Sequence, residues 1–229
     1  MQLPEISIRS HSSDQFALDK VLYSNSYRLN RFLENSVVLD IGAGAGAFSI
    51  VSILHGAKKV YAFEPSAWSH EILVKNLRNF SKDFSTYQIG IKETSEFAYL
   101  KKPELVNNAF YNFSDVSIAG PDDQKGELCY FSTLDEIIKA LKEKIYLLKI
   151  SAPSKEVELL KLSHSLFAVE NLCFEFKCSP SESDEIVDLI KKKGGFLNGV
   201  SEKISEQNDR LFMFSKAQLD ICFAKYRTM

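Results

Sequence analysis

Apolar residues change their spacing several times along this chain, and each change marks an element. Between positions 14 and 33, Phe16, Leu18, Val21, Leu22, Leu29, Phe32 and Leu33 stand among polar residues in a helical pattern, with Ser13 or Asp14 placed to cap its start. The pattern then tightens. Val37-Val38-Leu39-Asp40-Ile41 is a short apolar run that ends in glycines, which reads as a buried strand. Positions 46–54 read as a helix, Lys59 to Phe63 as a second strand and 66–80 as a second helix, and Tyr87 to Ile91 closes a third strand. Thr133-Leu134-Asp135-Glu136 matches a capping box and opens a helix over 133–143. Ile145 to Ile150 is a fourth strand, and Pro153 suits the first turn of the helix after it. Leu172 to Phe176 is a fifth strand, 182–193 a helix, and 195–216 has room for two more strands. Strands alternating with helices predict an α/β fold with a mostly parallel sheet of about seven strands, helices on both faces, and a final hairpin that turns the last strand antiparallel. The strand at 37–41 should be central.

The organisation expected is one domain over 1–229, with a helical N-terminal extension over 1–35 and a long loop over 101–126. That loop carries Pro103, Asn107-Asn108 and Gly120-Pro121-Asp122-Asp123, all turn chemistry. Tyr99, Phe110, Tyr111 and Phe113 border it, either lining a pocket or anchoring the loop. Hydrophobic residues make up 45% of the chain, enough for a sizeable core. The net charge of −2 shows no basic excess, so no nucleic-acid partner is expected. Lys191-Lys192-Lys193 reads as cations at a helix C-terminus. Cys173 and Cys178, five residues apart on a strand, point to opposite faces and cannot share a metal. All four cysteines (Cys129, Cys173, Cys178, Cys222) read as reduced thiols of a cytoplasmic protein. Neither a signal-peptide pattern nor a membrane-spanning apolar stretch is present, no His/Asp/Glu cluster has metal-ligand spacing, and His55, His70 and His164 read as surface or packing residues.

The chemistry concentrates in Asp40-Ile41-Gly42-Ala43-Gly44-Ala45-Gly46. A glycine-rich turn directly after a buried strand, opening a helix, binds nucleotide-like ligands. Gly42 and Gly44 permit a tight turn and close ligand approach, and Gly46 lets the helix pack nearby. Glu64 ends the next strand, where a carboxylate can accept hydrogen bonds from both ribose hydroxyls. The glycine spacing alone also fits a dinucleotide fingerprint. Asp40 discriminates: a carboxylate there is unwelcome beside a pyrophosphate and welcome beside a cationic ligand. S-adenosylmethionine carries an ammonium and a sulfonium and no phosphate, so it is expected ahead of NAD. Trp68 either covers an adenine or packs its helix on the sheet.

At these residues the chain resembles the FkbM family of S-adenosylmethionine-dependent methyltransferases. The resemblance is carried by Val38 to Gly46, by Val60-Tyr61-Ala62-Phe63-Glu64-Pro65, by Leu73 to Leu77, and by Thr133-Leu134-Asp135 and Leu147-Leu148-Lys149-Ile150. Ser13-Asp14 and Leu172 to Phe176 are similar to its flanking segments, so the likeness runs from about Arg9 to Gly195. It implies a Rossmann-like class I methyltransferase fold and O-methylation of a sugar-like or other small-molecule acceptor, whose identity stays open, as does the oligomeric state. It places Asp40, Gly42, Gly44 and Gly46 around the methionine end of the cofactor, Glu64 at the ribose and Gly90-Ile91 near the adenine, with Ala43, Phe48 and Pro65 also among the cofactor-binding residues.

One departure matters. The family's fourth strand continues after its lysine and isoleucine into Asp-Val-Glu-Gly, whereas this chain reads Ser151-Ala152-Pro153-Ser154. Ser151 and Glu175 are therefore the candidate catalytic residues, with Ser151 able to orient an acceptor but not to act as a general base. Two alternatives remain: a protein that binds S-adenosylmethionine without catalysis, and an NAD-dependent oxidoreductase.

Overall fold

A computed structural model describes residues 5–29, 33–80, 83–101, 105–106, 110–111, 118–119, 126–205, 208–217 and 223. The N-terminal helix is shorter than its apolar pattern suggests. Helix α1 (Asp14–Leu18) passes into a π-helical turn, Asp19–Tyr23, and stops. Asn25 ends it: its backbone is left-handed, with φ +45°, and its side chain pairs with both the N–H and the C=O of Leu29. Neither expected cap forms. Ser13 makes no side-chain cap bond, and Asp14 accepts two bonds from the Arg9 guanidinium instead.

The following elements are β1 (Val37–Ile41), α2 (Ala47–Leu54), β2 (Lys59–Phe63), α3 (Ala67–Leu77) and β3 (Asp83–Tyr87). Two short strands follow, β4 (Gly90–Ile91) and β5 (Glu96–Lys101), then β6 (Leu105–Val106), β7 (Phe110–Tyr111) and β8 (Gly126–Ser132). The third strand thus ends where the sequence expectation begins it, and Gly90-Ile91 belongs to a separate three-stranded sheet of order β4-β8-β5. The expected loop over 101–126 contains the paired β6 and β7. Phe113 lies outside the described residues, as does Cys222.

The chain continues with α4 (Leu134–Leu141), β9 (Ile145–Ile150), α5 (Glu156–Leu162), β10 (Val169–Lys177), α6 (Pro180–Gly194), β11 (Asn198–Lys203) and β12 (Asp209–Ser215). Thr133 caps α4 in the expected capping box, and Ser179 caps α6 in a second one. Pro153 sits in a turn before α5 rather than in its first turn.

The large sheet has seven strands in the order β11-β12-β10-β9-β1-β2-β3. β12 runs antiparallel to both neighbours, and the pairings from β10 through β3 are all parallel. This is a Rossmann-like arrangement of the class I methyltransferase type. β1 is interior, and its alternation sends Val38 and Asp40 to one face and Leu39 and Ile41 to the other. Leu39 and Ile41 join a core with Ile137 of α4, Leu160 of α5 and Ile190 of α6. Val38 joins a second core with Phe48 and Ile50 of α2, Leu73 of α3 and Leu33. Cys173 lies in this second core and Cys178 in the first, the opposite faces that their spacing requires. Burial pushes the Cys129 thiol up to about 12 and raises that of Cys178, so both are packing thiols at neutral pH. The strand order reverses at β1, because β2 and β9 leave it in opposite directions, and ligand crevices in such sheets lie at that point, beyond the carboxyl ends of the strands.

Candidate functional site

Gly42 begins the turn after β1 with φ +71°, and a Cβ there would stand 2.0 Å from the carbonyl oxygen of Ser151. The loop therefore packs against the end of β9 at a distance only glycine permits. Gly44 also has positive φ, yet a Cβ on it would meet nothing within 4 Å. Its open side faces a cavity of about 940 Å³ at the carboxyl ends of β1 and β9. That is the upper part of the usual range for small-molecule sites, roughly 300–1,000 Å³.

The loop amides are already engaged. Gly42 and Ala43 donate to the carbonyl of Phe63, at 2.9 and 3.0 Å, and Gly46 donates to Ala43. Gly44 N–H donates to Glu64 Oε2 at 2.9 Å, while Ser66 N–H donates to Oε1 at 3.1 Å. Burial raises the Glu64 carboxyl above the ordinary glutamate value, and the two amide bonds oppose that rise.

Of the residues expected at a cofactor, Gly42, Ala43, Gly44, Phe48, Glu64 and Pro65 line this cavity; Asp40, Gly46, Gly90 and Ile91 do not. Asp40 lies wholly buried below it. Its Oδ1 accepts from Lys149 Nζ at 3.0 Å and its Oδ2 from Ser49 Oγ at 2.7 Å. The carboxylate read as a partner for a cationic ligand is thus committed to a lysine of the adjacent strand. Gly90 is covered by Phe131, whose ring a Cβ would approach to 2.3 Å. Trp68 is exposed on α3 and outside the lining.

The structure also brings in residues the sequence did not mark. Lys149 lines the cavity and donates to the carbonyls of Gly42 (2.7 Å) and Ile41 (3.3 Å) as well as to Asp40. A lone lysine in an apolar strand was the available signal, since buried lysines are almost always paired. The N-terminal segment forms one wall through Arg9, Asp14, Asp19 and Lys20. Tyr27 forms another part, its ring 5.0 Å from that of Phe48 in an edge-on contact. Both candidate catalytic residues, Ser151 and Glu175, reach the cavity. Lys20 Nζ sits 2.5 Å from Glu175 Oε2, and Glu175 Oε1 is shielded with no hydrogen-bond partner. Around the cavity, Asp14, Asp19, Glu64 and Glu175 outnumber Arg9, Lys20 and Lys149. No set of three metal-binding side chains occurs among the described residues, and no described helix is long and apolar enough to cross a membrane.

No family model matches the chain. Its fold is similar to that of the methyltransferase FkbM of Methylobacillus flagellatus KT, with a TM-score of 0.55 and 17% identity over 85% of this chain and 47% of that one. It is similar to the methyltransferase domain of METTL16, with a TM-score of 0.52 and 12% identity over 93% of this chain and 89% of that one. A candidate RNA methyltransferase of Pyrococcus horikoshii gives 0.50 and 16% over 89% and 85%. In sequence, a 64-residue stretch is 39% identical to Hemolysin A of Brachyspira hyodysenteriae, covering 28% of this chain and a quarter of that protein. At these identities the likenesses to solved structures establish the fold.

Proposed function

We propose that this chain is an S-adenosylmethionine-dependent methyltransferase that O-methylates a small-molecule or sugar-like acceptor. The observation that carries the reading is the bond from Gly44 N–H to Glu64. A dinucleotide would bring its pyrophosphate to the glycine loop and the N-terminus of α2. Here a carboxylate already takes the Gly44 amide, and the amides of Gly42, Ala43 and Gly46 are spent on carbonyls. A phosphate would lose those donors and face the Glu64 charge. A ligand with ribose hydroxyls and cationic groups suits the same surroundings. The open side of Gly44, the 940 Å³ cavity and the acidic excess of its wall fit S-adenosylmethionine in the same sense.

When bound, S-adenosylmethionine supplies a methyl group activated by its sulfonium. Glu64 would accept hydrogen bonds from the ribose hydroxyls, with its position fixed by Gly44 and Ser66. Gly44, whose open side faces the cavity, would let the methionine end approach the backbone closely, with Gly42 and Ala43 lining the turn beside it. Asp40 acts through its neighbours: by holding Lys149, it fixes the carbonyls of Ile41 and Gly42 and so the course of the loop. Ser151 would orient the acceptor hydroxyl. Most of the rate would come from positioning.

A non-catalytic binding protein is the second reading, favoured by the absence of carboxylates from Ser151-Ala152-Pro153-Ser154. With four carboxylates against three cations, the wall offers no basic excess to a polyanion such as the RNA for which the Pyrococcus protein is named. Calorimetry with S-adenosylmethionine, S-adenosylhomocysteine and NAD tests the cofactor. Binding of the first two without NAD is expected, and tight NAD binding with no response to S-adenosylhomocysteine would overturn the proposal. Methyl transfer to any acceptor then separates catalyst from binder.

A further inference from the structure

A second cavity of about 460 Å³ adjoins the first and shares Tyr27, Ser151, Pro153 and Glu175 with it. The two meet at the carboxyl ends of β9 and β10. Glu156, the first residue of α5, lines only the second cavity, together with Lys177 and Asp209. We propose that this second cavity is the acceptor site, that it takes a small hydroxyl-bearing molecule without phosphate groups, and that Glu156 is the base that receives the acceptor's proton. The proposal rests on the S-adenosylmethionine reading above.

The lining selects the acceptor. Glu156, Glu175 and Asp209 present carboxylates against a single cation, Lys177. Hydroxyl donors find acceptors in such a space, whereas a phosphate meets more carboxylates than cations even with Glu175 paired to Lys20. Glu175 Oε1 needs a donor that no described residue provides, and a hydroxyl of the acceptor would supply one.

Geometry also separates the three candidates for the base. The Ser151 hydroxyl is not basic enough at neutral pH. Glu175 has one oxygen held by Lys20 at 2.5 Å. Glu156 is 5% exposed, and its Oε1 accepts from Ala152 N–H at 2.8 Å, which turns the carboxyl back toward the end of β9. Helix α5 thereby returns a carboxylate to a strand end whose own sequence lacks one. The charged and titratable groups around it are Lys149 of β9, Tyr27, Glu175 and Lys177 of β10, and Asp209 of β12. Burial prevails over the attraction of Lys149 and the backbone hydrogen bonds, pushing the Glu156 carboxyl up to about 7. A base with that value is matched to neutral conditions.

In the step, the acceptor oxygen forms its bond to the methyl carbon as the carbon–sulfur bond breaks. The electron pair of that bond goes to sulfur, leaving a neutral thioether. The O–H proton passes to the Glu156 carboxylate and leaves to water after product release.

The test uses the full chain and Glu156→Gln, whose amide oxygen can still accept from Ala152 N–H. Glucosamine, galactose and glucose 6-phosphate are the probes, read by transfer of a labelled methyl group and by saturation-transfer NMR for binding. The unphosphorylated sugars should bind and be methylated, with kcat/KM rising through about pH 7. Glu156→Gln should lower that rate by about 10²–10⁴-fold and flatten the profile, while cofactor affinity stays within about twofold. Independently of turnover, carbon-13 NMR of the cofactor-free protein should show a glutamate carboxyl titrating near 7 that is missing from Glu156→Gln. The acceptor proposal falls if neither unphosphorylated sugar binds or reacts, if glucose 6-phosphate is preferred, if the variant keeps the wild-type rate, or if no such carboxyl titrates. With cofactor binding intact, those results leave the methyltransferase reading standing. Failure of the wild type to bind S-adenosylmethionine overturns both.

Discussion

Lys149 Nζ lies 3.0 Å from Asp40 Oδ1, with the lysine side chain 5% exposed and the aspartate fully buried. The pair ties β9 to β1 and, through the lysine's further bonds to two carbonyls, to the glycine loop. Lys149→Met should cost about 3–5 kcal/mol, because it strands a buried carboxylate with only Ser49 for company. Asp40→Leu combined with Lys149→Met should recover most of that loss. Urea denaturation of the two singles and the double measures the coupling, and strictly additive losses would refute it.

Gly42 and Gly44 should respond differently to alanine. At Gly42 the new Cβ collides with the Ser151 carbonyl, so the turn must shift and both folding and ligand binding should suffer. At Gly44 the methyl group enters open space, and only the left-handed backbone penalty of about 1–2 kcal/mol applies. Gly44→Val should nevertheless abolish cofactor binding, since its side chain fills the approach. Thermal melts beside calorimetry separate the two effects.

Glu64→Ala should weaken S-adenosylmethionine by about 1.5–3 kcal/mol, the usual worth of hydrogen bonds to a charged group. Because burial raises this carboxyl, wild-type affinity should decline on acidification at a higher pH than an ordinary glutamate would impose. Glu64→Gln should remove that dependence. A titration series across pH, wild type beside Glu64→Gln, reads it directly.

Glu156 should also set a pH dependence of stability. Its folded value, about 7, exceeds the usual 4.5, so between those limits the folded state binds more protons than the unfolded one. Its contribution to stability is present at low pH and is lost as pH rises through about 7. Glu156→Gln should therefore stabilise the protein by about 1–3 kcal/mol at pH 8 and change little at pH 4. Equal effects at the two values would contradict the assignment.

Much of the site was legible because it is local in sequence. The strand Val37–Ile41, its glycine turn and Glu64 at the end of the next strand are read from adjacent residues, and each stands where its pattern puts it. The N-terminal helix was overextended because Leu29 and Leu33 continue an apolar pattern that the Asn25 side chain interrupts. Gly90-Ile91 was assigned to the main sheet because an apolar pair does not reveal which partner strand it will meet.

By itself the sequence determined the alternation of strands and helices, the capping box at Thr133, and the position of the glycine loop. Those depend on backbone preferences and periodicities that act over a few residues. Tertiary structure decided what the charges do. Asp40 meets a lysine 109 positions away and gives one carboxylate oxygen to it. Glu175 is claimed on one side by Lys20, 155 positions distant. Glu156, unremarkable in the sequence, is buried at the end of β9 and raised to a value useful for proton transfer. A carboxylate's chemistry depends on its desolvation and on the charges around it, and both arise only when distant segments pack together.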